Sequence, residues 1–272
     1  MPRIDHTNGV LTAADAARMA HEAGVAIPQL MTALLPRAAE FARPPISNFR
    51  VGAVARGVSG ALYFGANVEF AGEALSFTVH AEQSAIGNAF MNGEEGVDLI
   101  AVTAAPCGYC RQFLNELATA EALIIQLPNG TFTLAQLLPN AFGPRDLDVA
   151  GGLLQRDDHR LNIDTDDKLA NEALCAANMS YAPYSKSFAG VALRTSEGVV
   201  VTGAYAENAA FNPSMSPLEV ALSQLNLRGA AFESITDAVL VHVDELHTNA
   251  TRTVLAAVCD APLRLVSARN SR

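Results

Sequence analysis

The stretch Ser47-Asn48-Phe49-Arg50-Val51-Gly52-Ala53-Val54-Ala55-Arg56-Gly57-Val58-Ser59-Gly60-Ala61-Leu62-Tyr63-Phe64-Gly65-Ala66-Asn67-Val68-Glu69 decides the fold. Val51 to Ala55 is a short apolar run that reads as a strand, Gly57-Val58-Ser59-Gly60 as a hairpin turn, and Ala61 to Asn67 as the returning strand. The same pattern comes back later in the chain. Ser47, Gly52, Arg56, Gly60, Gly65 and Glu69 are matched, each 138 residues on, by Ser185, Gly190, Arg194, Gly198, Gly203 and Glu207. Six matches at one offset mark an internal duplication. Three of them are glycines, placed where turns or close backbone approach are expected.

Working outward, a helix is predicted from just before His80 to about Met91, stopped by Asn92-Gly93. Leu99 to Thr103 reads as a buried strand. A helix beginning at Pro106 carries Phe113, Leu114 and Leu117, and Ala122 to Leu127 is a further strand. Strands and helices in this order give a layered α/β unit with helices covering a sheet. The second copy continues with a helix near Leu218 to Leu227, a strand at Val239 to Val243, a helix around Thr251 to Val258 and a strand at Leu263 to Val266. Upstream, Thr12-Ala13-Ala14-Asp15 resembles a capping box and Gly24 a helix stop. A second helix begins near Pro28, with Pro36 expected to kink or divide it and Pro44-Pro45 to end it. The expected division is a helical arm over residues 1–25, a first unit over 26–146, an Asp- and Gly-rich linker over 147–163, and a second unit over 164–272.

Half of the 272 residues are hydrophobic and 17% are charged, a composition that buries a core instead of staying disordered. No apolar run reaches membrane-span length, and Met1 to Val10 lacks the apolar centre of a leader, so a cytoplasmic protein is expected. The net charge of −10, with Lys and Arg scattered, argues against a polynucleotide partner, because binding phosphates takes clustered cations. Four cysteines, two of them in one Cys-x-x-Cys, fit metal binding better than a disulfide framework.

The chemistry lies in His80-Ala81-Glu82 and Pro106-Cys107-Gly108-Tyr109-Cys110. One imidazole and two thiols are three ligands, the number used by a catalytic zinc that keeps its fourth position open for water. Glu82 supplies a carboxylate able to move protons around that water. Cysteines at i and i+3 of a helical turn point the same way, and helix N-termini favour thiolate. Arg111 could hydrogen-bond a thiolate, or be an ordinary helix charge. A closed structural site would need a fourth ligand, and no Cys or His lies close in sequence. His6, His21 and His159 are in the arm or linker. The second copy carries neither His-x-Glu nor Cys-x-x-Cys. Cys175 and Cys259 sit singly among apolar residues and are expected to be buried structural thiols, and the histidine of His242-Val243-Asp244 is expected in or beside a strand.

At these residues the chain resembles the cytidine deaminases. The stretches that carry the likeness are Thr78-Val79-His80-Ala81-Glu82-Gln83-Ser84-Ala85-Ile86, Pro106-Cys107-Gly108-Tyr109-Cys110-Arg111-Gln112 and Ser47-Asn48-Phe49-Arg50-Val51-Gly52-Ala53. H-x-E…P-C-x-x-C is the signature of zinc-dependent nucleobase deaminases. The duplication is similar to the two-domain bacterial form that works as a homodimer, and extends the likeness over nearly the whole chain. The resemblance implies a three-layer α-β-α fold with a mixed sheet, made of a catalytic copy and a degenerate copy. It implies one Zn2+ per subunit on His80, Cys107 and Cys110, with Glu82 as the proton-moving acid. It further implies that Asn67-Val68-Glu69 takes the ribose hydroxyls, that Phe49 packs beside the pyrimidine with Phe142 a second aromatic of that kind, and that the Ala81 backbone contacts the base. Ala210 and Phe211 would close the pocket of the partner subunit. Ala105 departs from the Ser that many relatives have before Pro-Cys.

The activity so implied is hydrolytic deamination of cytidine and 2′-deoxycytidine, a small uncharged substrate in keeping with the acidic balance. Its rivals are deamination of another cytosine-containing substrate, a nucleoside antibiotic or a polynucleotide, and a non-catalytic binding protein on the same fold.

Overall fold

A computed structural model of the chain describes residues 8–155 and 157–270. Met1 to Thr7, most of the polar start discussed above, lie outside the described residues. In chain order the first copy runs β1 (Val10–Leu11), α1 (Ala13–Ala23), α2 (Ile27–Ala39), β2 (Gly52–Gly57), β3 (Leu62–Ala66), α3 (Ala81–Met91), β4 (Val97–Val102), α4 (Gly108–Leu114), β5 (Ile124–Leu127), β6 (Gly130–Thr133) and α5 (Leu134–Leu137). The second runs β7 (Leu161–Asn162), α6 (Lys168–Met179), β8 (Ala189–Thr195), β9 (Val200–Ala204), α7 (Pro217–Leu227), β10 (Ile235–His242), α8 (Thr248–Val258), β11 (Leu263–Ser267) and β12 (Arg269–Asn270).

The first sheet has the order β1-β3-β2-β4-β5-β6, antiparallel except for the β4–β5 pair. The second has the order β11-β10-β8-β9, with β10–β11 the parallel pair. The hairpin and its repeat are thus β2–β3 and β8–β9. Both sheets are mixed and covered on both faces, which is why their strands read as nearly unbroken apolar runs. On one face of the first sheet α2 lays Leu30, Met31, Leu34 and Leu35 over Val54, Leu62, Phe64 and Leu99. On the other face Ala85, Ile86 and Ala89 of α3 meet Ala53, Ala55, Ile100 and Val102. The second copy repeats the arrangement, with α6 on Ala192, Val239 and Val241 and α7 on Val191, Leu193 and Leu240. The expected duplicated three-layer α-β-α fold is present.

The repeated glycines have mechanical reasons. A Cβ on Gly52 would lie 2.5 Å from the Ala39 nitrogen, and one on Gly190 2.3 Å from that of Ala177, so both let an outer helix sit directly on the sheet. Gly65 and Gly203 do the same for α3 and α7. These two inner helices pack on each other between the sheets, so one core spans both copies. Ser84 and Ser223 share a 2.7 Å hydrogen bond there, and all eleven residues of α7 are buried. A helix with no solvent face must have its polar groups partnered, and those of α7 are: Glu219 accepts from the Ser216 N–H, Ser223 meets Ser84, Gln224 donates to Asn88 and Asn226 to the Phe41 carbonyl.

Several expectations are corrected. Pro36 does not divide α2, which continues to Ala39. The proline removes the i→i−4 bond to the Thr32 carbonyl, and the helix is carried through it by the burial of Leu34, Leu35 and Ala38 on either side. The helix expected from Pro106 starts at Gly108 and ends before Leu117, which is buried beyond it. Cys175 is exposed and Cys259 half-buried, because the buried stripe of α6 is Leu169, Ala170, Ala173, Ala176 and Ala177 and Cys175 falls outside it. His242 ends β10, as expected. Strands β1 and β6 have no counterpart in the sequence reading; their partners β3 and β5 are distant or follow a turn too short to carry a pattern.

Candidate metal centre and active site

The two halves of the signature arrive at the same point because each sits at a helix start. His80 is the N-cap of α3, with extended backbone at φ −81° and ψ 157°, and its N–H donates to Oε1 of Gln83 at 3.1 Å. Cys107 is the N-cap of α4, and its sulfur accepts from the Cys110 N–H at 3.5 Å. Pro106 precedes it, so the chain leaves β4 extended and turns once into the helix.

His80 Nδ1 lies 3.7 Å from Cys107 Sγ, and the two sulfurs are 3.6 Å apart. The three ligand atoms fall within 4.8 Å of one another, and no fourth His, Cys, Asp or Glu joins them among the described residues. Zinc bonds of about 2.0–2.3 Å in tetrahedral geometry set ligand atoms about 3.5–3.8 Å apart, the spacing that Cys107 keeps to both His80 and Cys110, so one imidazole and two thiols here fit the ion. The other histidines that could have closed it are elsewhere: His159 stacks on Phe188 at 3.6 Å, His21 is exposed on α1, and His6 lies outside the described residues.

Without the ion the ligands hold protons jointly. The Cys110 thiol and the His80 ring pull the Cys107 thiol down to about 3, while the Cys107 sulfur pushes the Cys110 thiol and the His80 ring up. Metal binding therefore expels protons from Cys110 and His80. Glu82, in the first turn of α3 and 4% exposed, has its carboxyl raised by burial. A carboxyl held in this buried position beside the ligands can exchange a proton with a molecule bound there.

Around this centre Val68 pairs with Val79, their N–H groups and carbonyls bonded at 2.9 Å in both directions. That bridge fixes Asn67 and Glu69 beside the residue preceding His80. Asn67 is buried; its Oδ1 accepts from the Val51 N–H and its Nδ2 donates to the Phe49 carbonyl, each at 2.9 Å, so it shapes the loop carrying Phe49. The Phe49 side chain is 60% exposed. Glu69 accepts from the Ile46 and Ser47 N–H groups at 2.9 Å and from the Ser47 hydroxyl. Glu207 does the same for Tyr184 and Ser185 in the copy without ligands, so bracing this loop is one job of the repeated glutamate. Ala81 is buried against Gly65. Phe142 is exposed, its carbonyl held by Gln112 at 2.8 Å and Asn115 at 3.0 Å. Ala210 and Phe211 are exposed on a loop of the second copy that lies against α4 of the same chain.

Arg111 does not address a thiolate: among the described residues its hydrogen bonds go to the Pro106 and Leu137 carbonyls, both at 2.8 Å. The side chain runs back along α4, where two free carbonyls outcompete a sulfur already facing His80. Gln83 and Glu116 escaped the sequence reading. Gln83 stands three residues after the N-cap, a capping spacing that could have drawn notice. Glu116 is fully buried and accepts from the Tyr181 hydroxyl at 2.8 Å, the Tyr184 hydroxyl at 2.6 Å and the Ala209 N–H at 2.7 Å, joining the two copies. No sequence pattern announces such a residue. In the second copy Ser216, the N-cap of α7, takes the place of His80, and Leu218 that of Glu82. The chemistry was lost by substitution within an intact helix start.

Comparison with known proteins agrees with this geometry. The family "Cytidine and deoxycytidylate deaminase zinc-binding region" matches residues 27–126 and, in a second form, residues 134–254. A cytidine deaminase of Vibrio atlanticus is 48% identical over 93% of this chain and 88% of its own. One from Photobacterium profundum is 51% identical over 88% of this chain and 83% of its own, and one from Vibrio cholerae 53% identical over 78% and 72%. With both copies matched and half the residues shared across most of the length, the chain belongs to the cytidine and deoxycytidylate deaminase family.

Proposed function

We propose that this protein hydrolytically deaminates cytidine and 2′-deoxycytidine to uridine and 2′-deoxyuridine, water replacing the amino group and ammonia leaving. The observation that carries the reading is the open three-ligand set of His80, Cys107 and Cys110 with a buried Glu82 beside it. His80, Cys107 and Cys110 would hold a zinc ion, which would supply Lewis-acid chemistry, making water a better nucleophile at neutral pH. Glu82 takes a proton from the incoming water as its oxygen bonds to the amino-bearing carbon and delivers it to the neighbouring ring nitrogen; it then carries the proton of the new hydroxyl to the amine, which leaves as ammonia as the carbonyl forms. Asn67 and Glu69 hold the sugar, Phe49 and Phe142 flank the base, and the Ala81 backbone meets its edge. A ribose hydroxyl suits an amide and a carboxylate, because its loss leaves buried polar groups unpaired.

The chain divides in this reading into an arm over 1–25, a catalytic unit over 26–146, a linker over 147–163 and a degenerate unit over 164–272. It acts as a cytoplasmic homodimer in which Ala210 and Phe211 reach the partner's pocket. Phe211, 65% exposed with φ +61°, is an aromatic displayed by a strained turn, which suits a role outside its own subunit. Phe211→Ala is expected to raise KM; unchanged KM and kcat would remove it from the pocket. No helix among the described residues is long and apolar enough to cross a membrane. The deciding experiment is ammonia release from cytidine with and without a zinc chelator. Release that ignores the chelator, or no release from the zinc-loaded protein, overturns the proposal.

A further inference from the structure

Four hydrogen bonds join one short segment of the second copy, residues 208–213, to the two helices that carry the metal ligands, one of them donated by Gln112 Nε2 to Asn208 Oδ1 at 3.4 Å. The Asn212 carbonyl accepts from the Tyr109 hydroxyl at 2.6 Å. The Pro213 carbonyl accepts from Nε2 of Gln83 at 3.1 Å, while Oε1 of the same amide holds the His80 N–H. Asn208 Nδ2 donates to the Gln112 carbonyl at 3.0 Å. The segment is tied down internally, the Phe211 N–H bonding the Asn208 carbonyl at 2.8 Å and the Asn208 N–H the Ser214 hydroxyl at 2.9 Å. Tyr109 stands between the two cysteines, and its ring lies along that of His80, 5.5 Å away and inclined by 26°.

We propose that residues 208–213 form a cross-brace that sets the separation of His80 from the Cys107–Cys110 turn, with Tyr109 as its positioning residue. First turns are the least tied part of a helix, since their N–H groups have no partner within it. Here both ligand-bearing first turns are fastened to one external body, so the ligand spacing is set before the ion arrives. Preorganised ligands cost less to order on binding and release the ion more slowly. The degenerate copy, which holds no metal ligand, thereby contributes to the metal site of its own chain. This inference rests on the zinc reading above.

The test is zinc transfer from the purified full-length protein to a coloured chelator. Tyr109→Phe keeps the ring and removes the hydroxyl, and loss of one hydrogen bond predicts release about two- to tenfold faster. Asp237→Asn breaks an ion pair with Arg264 in the second sheet, away from the brace, and controls for general loosening. It is expected to lower the thermal midpoint while leaving release at the wild-type rate. Unchanged release from Tyr109→Phe, or equal acceleration in Asp237→Asn, overturns the brace and leaves the proposed activity standing. A wild-type protein that holds no zinc overturns both.

Discussion

Replacing Gly65 by alanine tests how closely the catalytic helix must approach the sheet. The added Cβ would lie 2.2 Å from the Ala81 carbonyl oxygen, 2.2 Å from the Ala85 nitrogen and 2.7 Å from its Cα. All three are backbone atoms, so no side chain can swing aside. Helix α3 must withdraw by about 1 Å to reach ordinary contact, an overpacking strain of about 1–3 kcal/mol. Its first turn carries Glu82 and its N-cap is His80, and a misplacement of about 1 Å in a catalytic array costs on the order of 10²-fold in rate. Gly190→Ala supplies the control. Its Cβ would meet the Ala177 nitrogen at 2.3 Å and the Ala173 carbonyl oxygen at 2.4 Å, a matching clash against the outer helix of the copy without ligands. Thermal unfolding should show both variants losing stability by similar amounts. Ammonia release from cytidine, measured well below both midpoints, should fall on the order of 10²-fold in Gly65→Ala and stay within about threefold of wild type in Gly190→Ala. If both variants lost activity equally, or Gly65→Ala kept it, the idea that this glycine seats the catalytic helix would be wrong.

Glu82→Gln should retain zinc by metal analysis yet lose about 10²–10⁴-fold in kcat, since the amide cannot carry the proton; retained turnover would remove Glu82 from its role. Glu116→Ala leaves the Tyr181 and Tyr184 hydroxyls and the Ala209 N–H without an acceptor, and an unfolding free energy from urea titration lowered by about 2–4 kcal/mol is expected, with no change contradicting its place at the junction of the copies. Burial raises the Glu219 carboxyl to about 7, above its unfolded value of 4.5. The stability this protonated group contributes is fully present below pH 4.5 and lost as pH rises through about 7. Urea midpoints of the metal-free protein should therefore fall more between pH 5 and pH 8 in the wild type than in Glu219→Gln, and parallel profiles would show that Glu219 does not titrate in this range.

The sequence by itself determined the repeat unit, its strand–turn–strand start and the ligand set. Those features are local: glycines demanded by turns and close approach, apolar runs demanded by a sheet covered on both faces, and a His-x-Glu and Cys-x-x-Cys whose spacing puts each at a helix start. Only the tertiary structure decided that α3 and α7 share one core, that Arg111 turns to the Pro106 and Leu137 carbonyls, that Cys175 faces solvent, and that α2 passes through Pro36. It alone joined Glu116 to Tyr181, Tyr184 and Ala209, and Tyr109 to Asn212, which is 103 residues away in sequence. The reason is the same in each case. Backbone conformation and metal spacing are settled within a few residues, whereas the partner of a buried polar group depends on which distant segment packing brings beside it, and no periodicity along the chain encodes that.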